Sequence, residues 1–142
     1  MEYSRRELCF MLPALLASKA QGSAAMPLRS KVYPFESLSP QVSGPNVFRP
    51  VLEGTTHDGF RLALHETNLA PGSMPHPPHH HAYEEVFLIR LGEVVVTIGG
   101  QSSTLAAGSV AYVASNEEHS IRNSGSTHAE YFVLELGAGA SS

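Results

Sequence analysis

His79, His81, Glu85 and His119 are the side chains whose types and spacing are suited to chemistry. Imidazole nitrogen favours Fe, Ni, Cu and Zn as partners, and one added carboxylate keeps Mn and Fe competitive. Three neutral histidines and one glutamate leave a divalent ion with net positive charge, so its open coordination positions attract anionic or enolisable oxygen ligands. In a β-strand, side chains two apart share a face. The run His79-His80-His81-Ala82-Tyr83-Glu84-Glu85 therefore sends His79, His81, Tyr83 and Glu85 one way, and His80, Ala82 and Glu84 the other. Two imidazoles and a carboxylate then leave one strand together, and His119 offers a third imidazole just beyond a turn. A triple-histidine run is also the pattern of an exposed adventitious chelator, and His119 taken alone reads equally as a surface turn residue.

The residues around these donors carry a resemblance. Gly92 follows Glu85 after six residues; in the second stretch Gly108, Ala114-Ser115-Asn116, His119 and Asn123 follow one another at similarly fixed intervals. Together the two stretches resemble the two sequence motifs of the cupin superfamily. The resemblance implies an all-β, single-domain cupin β-barrel, a double-stranded β-helix or jelly roll. In it His79, His81, Glu85 and His119 bind one divalent transition metal (Mn, Fe, Ni, Cu or Zn), with Glu85 also the ligand on which reactivity depends. Three positions depart from the motifs: Gly72 stands one residue too far upstream, Ala114 replaces a usual Pro, and Asn116 replaces a usual Gly. All concern turns, and Asn is the non-glycine residue that best tolerates the left-handed conformation.

The elements that must position these donors are short strands. Runs at Phe60 to Glu66, Ala82 to Leu91, Val94 to Ile98, Gln101 to Leu105, Ser109 to Ala114, Ser120 to Arg122 and Glu130 to Leu136 are separated by turn residues. That spacing reads as an all-β sandwich or barrel. Gly99-Gly100 is a two-residue hairpin signal.

A chain of 142 residues is one domain on size. We read residues 1–25 as an export signal, 26–50 as an extended arm and 51–142 as the barrel. Arg5-Arg6 precede a short apolar segment, Leu8 to Ala17, and small residues follow at Ser18, Ala20, Ser23, Ala24 and Ala25. This is the layout of a cleavable signal, and the arginine pair resembles the twin-arginine type, placing the mature protein in the periplasm or outside the cell. The competing reading is an ordinary N-terminal helix, interrupted by Pro13. The single cysteine, Cys9, falls inside the segment, so the mature chain would carry no thiol. In the arm, Lys31 to Phe35 alternates, but Pro34 admits at most an edge strand.

Net charge is −4, and there is no basic patch with interleaved aromatics, so nucleic acid is not an expected partner. No apolar run reaches the length needed to span a bilayer. The partner expected is a small-molecule ligand or substrate. The resemblance also implies a homodimer, through the face carrying Val86 and Leu88, with the arm able to reach across the partner.

Around the four donors, His76 lies on a stiff Pro-rich segment and reads either as a nearby acid or base or as a plain loop histidine. Asn123 is placed to orient His119 or the pocket wall. Tyr83, Phe87 and Tyr112 either line a cavity or pack the core. His57, His65 and His128 carry no spacing signal. Two function classes remain open: a mononuclear metal enzyme, dioxygenase-like or isomerase-like, acting on a small oxygen-rich molecule, and a non-catalytic metal or small-ligand binding module. Resemblance to quercetin-dioxygenase-like small cupins makes oxygenation the first reaction to test.

Overall fold

The structure is a computed structural model that describes residues 26 to 138; the expected export signal lies outside them. Nine strands follow a short 3-10 turn at Phe35–Ser37: β1 Gln41–Ser43, β2 Asn46–Thr55, β3 Arg61–Leu69, β4 Glu84–Leu91, β5 Glu93–Ile98, β6 Gln101–Ala106, β7 Val110–Val113, β8 His119–Asn123 and β9 Ala129–Gly137. They form a six-stranded sheet in the order β1-β2-β3-β9-β4-β7 and a three-stranded sheet in the order β6-β5-β8, with all pairs antiparallel. The all-β barrel expected from the strand spacing is the fold observed. Each of the seven expected strands is present, with small shifts at its ends. Gly99 and Gly100 both take positive φ, 54° and 79°, as a tight turn between β5 and β6 requires.

Alternation decides what faces inward. Phe87 and Ile89 of β4, Tyr131 and Val133 of β9, Val94 and Val96 of β5 and Ile121 of β8 form the buried core between the sheets. Full burial of one such side chain is worth about 1.5–3 kcal/mol. The same inward rows carry Glu85, ahead of Phe87, and His119, ahead of Ile121. The apolar rows that hold the barrel together thus run directly into the polar residues of the site.

The arm departs from expectation. Lys31 to Tyr33 form no strand, whereas β1 and β2 were not foreseen, and β2 runs through Pro50 across the expected junction between arm and barrel. Pro50 is tolerated because β1 pairs only as far as Phe48 and because the β2–β3 register shifts between Pro50 and Leu52, a bulge that absorbs the missing amide donor. Part of the arm packs on its own barrel. Leu28 donates its amide to the Thr55 carbonyl at 2.8 Å and lies on Gly54, where a Cβ would stand 2.7 Å from Leu28 Cδ2. Phe35 sits between the Arg49 and Arg90 guanidiniums, each 5.1 Å from its ring, and Arg49 in turn pairs at 2.7 Å with the fully buried Glu66.

Candidate metal centre

His79, His81 and Glu85 converge, though not as members of one strand. β4 begins at Glu84, so the strand expected from Ala82 is shorter, and His79 to Tyr83 precede it in irregular conformation. Pro75, Pro77 and Pro78 lead into this segment without amide donors and keep it out of the ladder. It is positioned by two anchors. His79 and His119 exchange backbone hydrogen bonds at 3.1 and 2.9 Å in an isolated bridge. Asn116 donates its amide to the His81 carbonyl at 2.7 Å. Asn116 has φ 61°, the left-handed conformation its side chain tolerates where the resembling motif has Gly. His80 is exposed, as expected.

Each of the three histidines turns Nδ1 to a backbone carbonyl two residues away: His79 to Pro77 at 3.1 Å, His81 to Tyr83 at 2.8 Å and His119 to Glu117 at 2.9 Å. A carbonyl can only accept, so Nδ1 carries the proton and, in the neutral ring, Nε2 presents a lone pair. Nε2 of His81 lies 3.1 Å from Glu85 Oε1, and Nε2 of His119 lies 3.1 Å from Glu85 Oε2. Both Nε2 atoms are buried and make no hydrogen bond despite that proximity. Lone pairs of nitrogen and carboxylate oxygen facing one another in a buried site repel unless a cation lies between them. Ligand atoms bound at about 2.0–2.2 Å and at right angles stand roughly 3 Å apart, which fits the 3.1 Å separations. The ligand atoms of His79, His81 and His119 all lie within 4.8 Å of one another, a group able to hold a metal ion. Burial holds the His79 ring below its ordinary pKa, against the Pro77 carbonyl, which favours the charged form. The shift is toward the neutral form, the one that can donate to a metal.

A cavity of about 380 Å³ opens beside these atoms, lined by His79, Glu85 and His119 and walled by Phe87, Leu69 and Tyr131 among others. Phe87 is thus both core and cavity wall. Tyr83 lines the cavity and stacks on His81, with ring centroids 3.5 Å apart and planes 9° from parallel, while Arg61 covers its other surroundings at 5.4 Å. His76 lines the cavity and meets the His79 ring edge-on at 5.5 Å. Tyr112 takes another role, and Asn123 takes the second of its two expected ones, holding Leu69 of the pocket wall. Tyr112 is exposed on the outer face of β7, opposite the cavity, because strand alternation gives the inward position to Val113. Asn123 does not hydrogen-bond His119. It is fully buried, donates to the carbonyls of Leu69 and Thr127 at 2.7 and 2.8 Å, and accepts from the Gly125 amide at 2.9 Å.

His65 and Glu135 line the same cavity and were missed. The signal was present in the alternation: His65 falls between Ala63 and Thr67 on the inward row of β3, and Glu135 follows Tyr131 and Val133 on that of β9. Glu135 is the cross-strand partner of Glu85 and is paired with Arg61 at 2.7 Å. That pairing raises the Arg61 pKa further above its ordinary value, against the effect of burial.

Residues 65–135 match the cupin domain family. The chain is 36% identical over 78 residues to an oxalate-binding protein of Thermotoga maritima; the match covers 55% of this chain and 64%, just under two thirds, of that protein. Among solved structures it is similar to a predicted oxalate decarboxylase from Thermotoga maritima, with TM-score 0.65 and 25% identity over 75% of this chain and 98% of that one. It also resembles KdgF from Halomonas sp. in fold, with TM-score 0.67 at 13% identity over 79% of this chain and 97% of that one. The family match covers half of the sequence and contains both histidine-bearing stretches and Glu85, and the chain belongs to the cupin domain family.

Proposed function

We propose that this chain is a mononuclear metal-dependent cupin enzyme that acts on a small oxygen-rich molecule, with His79, His81, Glu85 and His119 as the metal ligands. One observation carries the reading: two buried Nε2 atoms stand 3.1 Å from the two oxygens of one carboxylate without a hydrogen bond. A divalent ion held there supplies Lewis acidity toward a carbonyl or enolate and, where it is Fe, Ni, Cu or Mn, a means of bringing dioxygen and substrate together. The chain's own residues supply the rest. Phe87, Leu69 and Tyr131 give the cavity apolar walls, and Glu85 is the one anionic donor among the four ligands. His76, exposed at the cavity beside His79, is placed to take or return a proton as substrate enters.

A dioxygenase-like or isomerase-like reaction is favoured over simple binding because a cavity of about 380 Å³ adjoins the donors, a size suited to enclosing a small molecule. A non-catalytic oxyanion-binding module is the second reading, favoured by the naming of one relative as an oxalate-binding protein. Metal analysis of the purified full chain, followed by oxygen-uptake screening against flavonols, catechols and 1,3-diketones and carbon dioxide release from oxalate, tests both. One metal per chain with turnover supports the enzyme. A compound bound and recovered unchanged supports the module, and folded protein purified without metal that takes none up on incubation with Mn, Fe, Ni, Cu or Zn excludes the enzyme.

We further infer a two-fold homodimer and export through the Arg5-Arg6 segment. Among the described residues no helix is long and apolar enough to cross a membrane. Export is tested by changing Arg5 and Arg6 together to Lys, which should retain the protein in the cytoplasm; uncleaved wild-type protein in the cytosol of the native host would exclude it.

A further inference from the structure

The cavity has a second polar station. Along β4, β9 and β3 the inward row runs Glu85, Glu135 and Ala63 at one level and Phe87, Val133 and His65 at the next. His65 thus stands two strand spacings across and two residues along from Glu85, roughly 12 Å from it along the sheet. Between the two stations the wall is apolar at Phe87 and Val133, with the Glu135 carboxylate beside them on β9 and Tyr131 further along the same row. His65 is held in place on both sides: its ring packs on Phe48 with centroids 4.6 Å apart, and its Nδ1 faces Glu135 Oε1 at 3.9 Å. Glu135 itself is fixed by Arg61 at 2.7 Å, so its charge is balanced without drawing a proton from His65. A polar side chain fixed two strands across from Glu85, with Glu135 beside it and apolar side chains lining the cavity between, is placed to recognise what the metal donors do not reach.

We propose that His65, backed by Glu135 and Arg61, hydrogen-bonds the end of the bound molecule remote from the metal donors, so that the ligand is an elongated, partly apolar skeleton with oxygen groups at both ends. This rests on the metal-dependent reading above and narrows its substrate class. A two-carbon diacid fills only a small part of about 380 Å³ and cannot span both stations. An aromatic or branched enolate with a distal hydroxyl does both, burying its body against Phe87 and Tyr131. Burial holds His65 below its ordinary pKa, which leaves the neutral ring able both to donate and to accept.

The test uses the full chain loaded with Ni(II), its metal content measured first, and titrated calorimetrically with benzoylacetone and its para-hydroxy derivative. Both carry the same chelating 1,3-diketone; only one carries a distal hydroxyl. Wild-type protein should bind the hydroxylated probe about five- to tenfold more tightly, the worth of one net hydrogen bond. His65→Phe should abolish that difference while leaving metal content unchanged, and His65→Gln, which keeps a donor and an acceptor, should retain part of it. Equal affinities for the two probes in the wild type overturn the proposal, as does tighter binding of oxalate than of either probe. Because the wild-type comparison needs no variant to fold, it stands by itself. Failure to load Ni(II) at all would instead overturn the metal reading, and the two failures are told apart by the metal content measured before titration.

Discussion

His79 and His119, forty residues apart, exchange both backbone hydrogen bonds at 3.1 and 2.9 Å and bring their rings to 4.6 Å. The bridge fastens the Pro-rich segment before β4 to the start of β8, which belongs to the other sheet. It therefore joins the two sheets at the site itself, and backbone geometry, in place of a shared strand face, sets the distance between two of the proposed ligands. Glu85 completes the arrangement from β4, with one oxygen toward His81 and the other toward His119.

Removing His119 by substitution to Ala should lower metal affinity on the order of a hundredfold or more, since it removes a ligand outright where loss of a mere supporting partner costs ten- to a hundredfold. The backbone bridge to His79 survives the change, as it uses no side-chain atom, so circular dichroism should report a folded barrel. Glu85→Gln should weaken metal binding less than loss of an imidazole and alter metal preference more, because it conserves volume and removes the one negative donor. His80→Ala is the control: the side chain is exposed, and metal content should not change. Inductively coupled plasma analysis of the wild type, these three variants and His81→Ala decides the matter, and equal metal loss in His80→Ala and His81→Ala would mean that the triple-histidine run binds as a flexible chelator.

Asn123→Ala should act on stability. The amide holds the Leu69 and Thr127 carbonyls and the Gly125 amide in a fully buried position, and the backbone of the same residue accepts from Gly72 and donates to Ser73, both at 3.0 Å. Leaving such groups without partners costs about 1–3 kcal/mol each, partly relieved by local rearrangement. A loss of roughly 2–4 kcal/mol in urea unfolding is expected, with near-normal metal affinity in the folded fraction. A selective loss of metal at unchanged stability would restore the role of orienting His119.

Much of this was legible from residue types and spacing, and what was not has physical causes. Alternation located seven strands and put Glu85 and Phe87 on one inward row, because a strand with one buried face writes its period into the sequence. It failed at His79 and His81, where prolines break the ladder and the convergence depends on a backbone bridge to a residue far along the chain. β2 was hidden by Pro50, whose missing donor is excused only by a bulge and by the end of β1, neither visible locally. Tyr112 reads from residue type as a cavity or core residue, whereas Val113 takes the inward place and Tyr112 is exposed. His65 and Glu135 were readable as polar interruptions of inward apolar rows, but only once the strands that flank them are known.

The neutral histidines predict how stability depends on pH. Burial holds the folded-state pKa of His65 below the ordinary 6.5; His76 adds to the shift and Glu135 opposes it. A depressed folded value contributes stability that is present in full above the unfolded value and is lost as pH falls through the folded one. Metal-free protein should therefore melt progressively lower as pH is taken from about 7.5 to 5, the unfolded chain taking up protons first. His79 shifts in the same direction, so His65→Gln should flatten the dependence without abolishing it. Parallel melting curves for wild type and His65→Gln across that range would show that another group governs the loss.

The outer face of β4 and β7 predicts assembly. Leu88 is cross-strand partner of Val110 and Val86 of Tyr112, and Leu88, Val110 and Tyr112 remain 39%, 57% and 55% exposed. β7 ends the six-stranded sheet, so these side chains border an unpaired edge, a combination that soluble chains ordinarily cover. A second copy related by a two-fold axis would cover the face with itself, each residue counted twice. Light scattering at micromolar concentration should give a dimer mass, and the double change Leu88→Glu, Val110→Glu should give a monomer, since like charges would be brought together from both copies. Metal content should be unaffected, because these side chains point away from the cavity. A wild-type monomer would exclude the dimer, and a double variant that remains dimeric would place the interface on another surface.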